Sequence, residues 1–182
     1  MRRFLLPSHT RLLRCVLLAL VLSAALSQAP LSEDAQRALQ QAQAAASQAL
    51  ATYPSQSVDR PLWQEALRFG EQAQRLAPDS PEPYRFLAEA YAQVQLFERA
   101  WQAWTGYLER GGGLDNLARQ NLVRLGSDLG YSRYSGGQYR EAAEYLQRVV
   151  DLDPSQEAAK SQLAQSYLQL GRPERALELY QQ

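Results

Sequence analysis

The chain of 182 residues has one histidine, one cysteine and one lysine. His9 and Cys15 both fall within the first twenty-nine residues. Residues 30–182 therefore have no disulfide, no thiolate nucleophile, no imidazole base and none of the usual histidine and cysteine ligands of zinc. Most hydrolase chemistry is thereby excluded. Charge of one sign is missing too: 19 basic side chains balance 19 acidic ones, which leaves no basic footprint for nucleic acid. Long apolar runs are scarce, and the longest, Cys15 to Leu26, covers twelve residues of which Ser23 alone is polar. What remains is a chain 46% apolar and 21% charged, long enough to bury the core of one ordinary globular domain without metal or disulfide staples.

Arg2, Arg3, Arg11 and Arg14 precede or abut the apolar run, and Ser27, Gln28 and Ala29 follow it before Pro30. This is the layout of a secretory signal peptide over residues 1–29. At about 1.5 Å per residue the run reaches roughly 18 Å as a helix, short of the roughly 30 Å hydrocarbon core. A secreted or periplasmic protein is therefore expected, with no stable membrane span after cleavage; an uncleaved N-terminal membrane anchor is the alternative. Ala25 with Ser27, or Ser27 with Ala29, offers small residues for the cut. Cys15 stands at the start of the run, whereas a lipoprotein cysteine follows it. Cleavage removes four arginines and leaves 15 basic against 19 acidic side chains, a net of −4.

Beyond this leader the sequence repeats. Aligning 60–79, 97–113, 139–155 and 173–182 superposes Ala66, Ala100, Ala142 and Ala176, spaced by 34, 42 and 34. Four residues after each alanine stands Gly70, Trp104, Leu146 or Tyr180, and twelve after the first three stands Pro78, Gly112 or Pro154. A helix breaker thus closes each of those units. Tyr84, Leu87, Ala88 and Tyr91 precede Ala100 at the offsets by which Lys160, Leu163, Ala164 and Tyr167 precede Ala176. Leu and Tyr at steps of three and four share one helix face, and small alanines let a second helix approach closely.

These residues resemble the tetratricopeptide repeat, whose pattern sets an aromatic, Leu, Gly or Ala and Tyr before an Ala, an aromatic and a Pro. The resemblance covers 81–182, clearest over 157–182 with Leu170-Gly171-Arg172-Pro173, and nearly as clear from Leu129-Gly130 to Ala142. It implies an all-α fold: a right-handed α-solenoid of antiparallel helix pairs, about four units, the first (30–80) degenerate and the last ending at the chain terminus. One unit cannot bury both its faces, so neighbours must stack. Arg133 stands where the third unit should have its Tyr, with Tyr134 beside it, which predicts a one-residue shift in helix phase. In the degenerate unit a long helix is expected from Leu31 to Thr52, N-capped by Ser32. Residues 53–61 then interrupt the pattern, and a second helix carries Trp63 and Leu67 up to about Ala77. Residues 111–113 are three glycines, after which Asp115 caps a long helix running to about Tyr134.

In this family the first helices of successive repeats line a concave groove for a peptide or protein segment. Projected onto this chain, the groove consists of Arg85, Glu89, Arg124, Tyr131, Tyr134, Gln162 and Gln165. The Lys and Asn of a chaperone-tail clamp are replaced by Arg85/Glu89, Ser127/Tyr131 and Ser161/Gln165, so a chaperone C-terminus is not the expected ligand. Leu177 and Tyr180 on the last helix form the expected docking or self-association edge, through which the chain would homo-oligomerise.

Other chemistry-bearing residues have plainer readings. Trp104 and Tyr107 fall at core positions and are expected to pack, not to stack bases or sugars; Trp101 is open between the two. Asp151, Asp153 and Glu157 flank Pro154 without the spacing of a calcium loop. Gly111-Gly112-Gly113 has no following Gly-Lys-Ser/Thr and no preceding strand, so it is a connection and not a phosphate loop. Lys160 is expected as a solvated surface lysine. No cofactor is expected. The sequence thus points to a non-catalytic scaffold for a protein or peptide partner, with no nucleic acid. The alternative is an envelope polysaccharide-acting or hydrolytic enzyme using paired carboxylates.

Overall fold

The computed structural model describes residues 30–181. The expected signal peptide at 1–29, with His9 and Cys15, lies outside the described residues. Helices α1 (Glu33–Thr52) and α2 (Pro61–Leu76) form a first antiparallel pair, α3 (Pro81–Gln93) and α4 (Phe97–Glu109) a second, α5 (Asn116–Ser135) and α6 (Tyr139–Leu152) a third, and α7 (Glu157–Gln169) and α8 (Pro173–Tyr180) a fourth. Among the described residues there is no strand, and no helix is long and apolar enough to cross a membrane. The fold is an all-α solenoid of stacked hairpins.

Local signals set the helix ends. The Ser32 hydroxyl accepts from the Ala35 amide at 3.3 Å, and the Asp115 carboxylate accepts from the Ala118 amide at 2.8 Å. Each satisfies an otherwise orphaned N-terminal donor. Pro61, Pro81 and Pro173 open α2, α3 and α8, where the missing N–H costs nothing. Within three hairpins the first helix stops in the same way. The residue five before the repeat alanine has a left-handed backbone: Gln95 at φ 63°, Gly137 at 75° and Gly171 at 69°. Its own amide and the next one then bond back to carbonyls of the last turn, Leu96 to Tyr91 at 2.9 Å, Gln138 to Arg133 at 2.9 Å and Arg172 to Tyr167 at 2.8 Å. This double closure is the Schellman motif.

The four aligned alanines lie on the second helix of each pair, and all are buried. Beside them Trp63, Trp104, Leu87, Leu122, Leu146 and Leu163 are fully enclosed. One cluster joins α1 through α5 and takes in Leu152 at the end of α6, and a second joins α6 through α8, with Val123 touching both. Cutting an enclosed tryptophan to alanine costs about 3–5 kcal/mol. Trp101 resolves to packing: its ring lies against Gly126, where a methyl group would sit 2.8 Å from it, and meets Tyr145 edge-on at 5.3 Å.

Three sequence expectations are refined or corrected. The helix through Arg133 keeps its phase. Arg133 itself occupies the tyrosine position and bridges Glu98 of α4 to Glu141 of α6, so an ion-pair triad replaces a phenol. Lys160 is not freely solvated; its side chain is 16% exposed and pairs with Glu157 at 3.3 Å, because the lysine stem lies along the helix surface. Tyr134 and Gln165, both projected onto the groove, are each other's hydrogen-bond partner.

The direction of curvature follows from which helices touch. The first helix α1 contacts α3, and α5 contacts α7, whereas successive second helices make no close backbone contact. The first helices therefore line the inner side of the curve. Their series is interrupted once, because α3 and α5 do not approach each other closely.

Candidate functional site

The inner face consists of two troughs. The first runs between α1 and α3, a cavity of about 590 Å³ with Leu39, Ala46 and Leu50 on one wall and Arg85, Phe86 and Glu89 on the other. The second, of about 400 Å³, lies between Arg119, Val123, Arg124 and Asp128 of α5 and Asp153 and Gln156 before α7. Arg85 and Glu89 thus border one trough and Arg124 the other. Tyr131 is exposed on α5, 59% accessible. Gln162 is half-buried, and its carbonyl accepts from the Ser166 hydroxyl at 2.8 Å. Tyr134 donates to Gln165 Oε1 at 2.9 Å and packs edge-on against Tyr139, so this pair links α5 to α7. Leu177 and Tyr180 stand apart from both troughs on α8, 57% and 62% exposed.

Between the troughs sits a polar bridge that the sequence did not announce. Arg85 donates to Asp115 at 2.8 Å, Glu89 at 3.2 Å and the Tyr107 hydroxyl at 3.4 Å. Partial burial alone would lower the Arg85 pKa, but the hydrogen bonds it donates to Asp115, Tyr107 and Glu89 outweigh that and hold the group above its ordinary range. Asp115 is held below the ordinary aspartate range by the Ala118 amide and then by Arg85. One carboxylate therefore caps α5 and fastens it to α3. Asp153 is likewise lowered, by Ser155 and Gln156, as befits a turn residue that accepts from both.

The outer face, formed by the second helices, repeats a different contact. Tyr91 of α3 donates to Glu71 of α2 at 2.8 Å, and Tyr167 of α7 donates to Gln147 of α6 at 3.1 Å. Both acceptors stand five residues after a repeat alanine. Burial, then the Glu71 carboxylate, pushes the Tyr91 phenol up to about 12. A cavity of about 560 Å³ lies beside Tyr91 between α2 and α4, and one of about 350 Å³ lies beside Tyr167 between α6 and the turn into α8. The sequence signal for these outer clefts was available in the tyrosines and their offset from the alanines. Core packing accounts for the tyrosine rings but not for their hydroxyl partners, which only the stacking of hairpins brings within reach. Among the described residues no three His, Cys, Asp or Glu side chains are grouped to hold a metal ion.

A family model described as tetratricopeptide repeat matches residues 134–182. Among solved structures, MamA from AMB-1 is 21% identical, with 83% of this chain and 73% of that one covered and a TM-score of 0.47. MamA 41-end from Desulfovibrio magneticus RS-1 is 19% identical, with 84% and 94% covered and a TM-score of 0.37. YrrB, described as a TPR protein with an unusual peptide-binding site, is 17% identical, with 78% and 80% covered and a TM-score of 0.34. No curated protein matches the chain.

Proposed function

We propose that this all-α solenoid, whose residues 134–182 match a tetratricopeptide repeat model, is a tetratricopeptide repeat protein throughout and a non-catalytic protein–protein interaction scaffold, exported to the periplasm or the cell exterior, that holds a segment of a partner along its inner face. The observation that carries this reading is the division of labour between helix sides. The repeat positions bury their alanines, leucines and tryptophans between hairpins, while α1, α3 and α5 leave Leu50, Glu89, Arg124 and Tyr131 accessible along one face. Arginine and tyrosine suit such a face because each offers contact area with a polar tip. Export rests on the arrangement of residues 1–29, an arginine-rich start followed by a short apolar run and small residues.

The carboxylates argue for the scaffold over the enzyme reading. Where two carboxylates come together they share an arginine: Glu89 and Asp115 on Arg85, Glu98 and Glu141 on Arg133. The aspartates with displaced titration, Asp59, Asp115 and Asp153, are all shifted downward, the wrong direction for a general acid.

The test is affinity capture from the protein's own envelope fraction with two baits, the natural chain and an Arg124→Glu, Tyr131→Ala variant. Tyr134 and Gln165 are left intact because they join α5 to α7. The scaffold reading expects partners that the variant loses; identical partner sets would remove the inner face from consideration. N-terminal sequencing of the exported protein should find a start at Gln28 or Pro30, and an intact N-terminus in the membrane fraction would favour the anchor instead. Self-association through Leu177 and Tyr180 is part of the same proposal. Sedimentation at tens of micromolar should show an oligomer that Leu177→Glu dissociates, and a monomer indifferent to that change would dismiss it.

A further inference from the structure

The cleft beside Tyr167 has a chemistry that the repeat pattern does not account for. Arg140 and Arg148 of α6 and Arg172 of the turn into α8 rim it, and Tyr167 and Leu170 form its floor. All three arginines are exposed, and none takes part in an ion pair among the described residues. Their positions are not basic elsewhere in the array. One unit earlier they hold Glu98, Gly106 and Gln138, and two units earlier Gln64, Gln72 and Leu96. The trio therefore belongs to this cleft and not to the fold.

The internal anion is also gone. In the first hairpins Tyr91 leans on Glu71, and that carboxylate draws Arg99 to 3.8 Å. Gln147 takes the place of Glu71 here. It keeps the tyrosine hydrogen bond while its amide donates to Asp151 at 2.9 Å. Asp151 is thus engaged, and Glu144 is the other carboxylate on the rim. Three guanidiniums against two carboxylates leave the cleft at +1, where the trough between α1 and α3, with Arg85 against Glu82 and Glu89, stands at −1; the cleft beside Tyr91 has the same +1, but there Arg99 is paired with Glu71 and Arg110 with Glu109 and two backbone carbonyls. Residues 30–182 as a whole stand at −4.

We propose that this cleft is a second binding surface, on the outer face, for an acidic segment of a partner protein that sets an apolar side chain on Tyr167 and Leu170 and its carboxylates among Arg140, Arg148 and Arg172. A guanidinium presents a planar fork that takes a carboxylate through two parallel hydrogen bonds, and three uncommitted forks around one apolar floor recognise charge and shape together. The recessed floor selects a side chain over a flat layer of headgroups. The proposal rests on the scaffold reading only in requiring a protein partner, and it uses the opposite side of the array.

The experiment is fluorescence anisotropy of the purified protein with a fluorescein-labelled peptide of alternating glutamate and leucine, beside its glutamine–leucine counterpart. Saturable binding of the acidic peptide alone is expected, weakening steeply as salt rises from about 0.05 to 0.5 M. Arg140→Glu with Arg148→Glu, and separately Arg172→Gln, should each weaken it about tenfold or more. Gln147→Glu restores the missing anion and also takes away the amide donated to Asp151, so it should weaken binding by a similar factor or more, with the melt recorded by circular dichroism to separate lost binding from lost fold. Tyr131→Ala should leave it unaltered. Equal binding of the glutamine peptide, or indifference to the arginine changes, would overturn the proposal. So would capture of the protein by phosphatidylglycerol vesicles through these arginines while the peptide stays free. If the peptide fails while inner-face capture persists, the cleft is refuted and the scaffold stands; if both fail, the scaffold itself falls.

Discussion

Gln95 is the non-glycine residue with a left-handed backbone among the described residues, and it stands where the next two hairpins have Gly137 and Gly171. The three turns share the same pair of closing hydrogen bonds, so Gln95→Gly changes the residue and not the turn. An L residue in this region carries about 1–2 kcal/mol of steric cost between Cβ and the following carbonyl, which glycine does not. Against that, glycine loses about 0.5–1 kcal/mol more backbone entropy on ordering. The Gln95 side chain is exposed and makes no hydrogen bond, so nothing else is lost. The net is a gain of about 0.5–1 kcal/mol, which for a chain of this size raises the melting temperature by about 1–4 °C. The assay is a urea titration followed by helical circular dichroism, where the midpoint should rise with an unchanged slope. The reverse exchange, Gly137→Ala, should lower the midpoint, and the double variant should return near the natural value because the turns are separate. A lower midpoint for Gln95→Gly, or a neutral Gly137→Ala, would refute the reasoning, since the turn would then not be straining residue 95.

The packing and the cap carry two further predictions. Ala142 is fully buried at the notch between α5 and α6, so Ala142→Leu should cost about 1–3 kcal/mol by overpacking, read as a lower urea midpoint; Ala142→Gly should cost less than the leucine if volume is the cause. Asp115 titrates below its ordinary range in the folded chain, so its contribution is present above the unfolded-state pKa and disappears as pH falls through the lowered folded value. Urea midpoints taken from neutral pH into acid should fall less steeply for Asp115→Asn than for the natural chain, and parallel profiles would separate the cap from acid stability.

Short-range relations were legible in the sequence and long-range ones were not. The alanine spacing, the Ser32 and Asp115 caps, the break at 53–61 and the long helix after the glycines all rest on residues within a few positions of each other, and each appears where expected. What escaped was any pairing between side chains set by stacking. Arg133 reads as a misplaced tyrosine until Glu98, 35 residues earlier, is brought against it. Arg85 reads as a free groove contact until Asp115, 30 residues later, closes on it. Tyr134 and Gln165, separated by 31, look like two independent surface residues and are one hydrogen bond. A pattern with period near 34 says which helices are neighbours but not which tips meet, because rotamers and small shifts in helix position decide that.

The extra length in the 42-residue interval between Ala100 and Ala142 goes into the glycine connection and into α5, twenty residues long against thirteen for α3 and α7. A longer connection lets α5 seat its tail on α6 and α7 while its start stands off from α3, so the backbones of those two first helices stay apart. An open seam on the inner face would leave the α5 cap to water, and Arg85 reaches over it to the Asp115 carboxylate. The three guanidinium contacts thus occupy the one place where backbone packing does not hold the inner face together. A partner lying along that face has to pass over this bridge, and any group it carries that competes for Arg85 would loosen the seam as it binds.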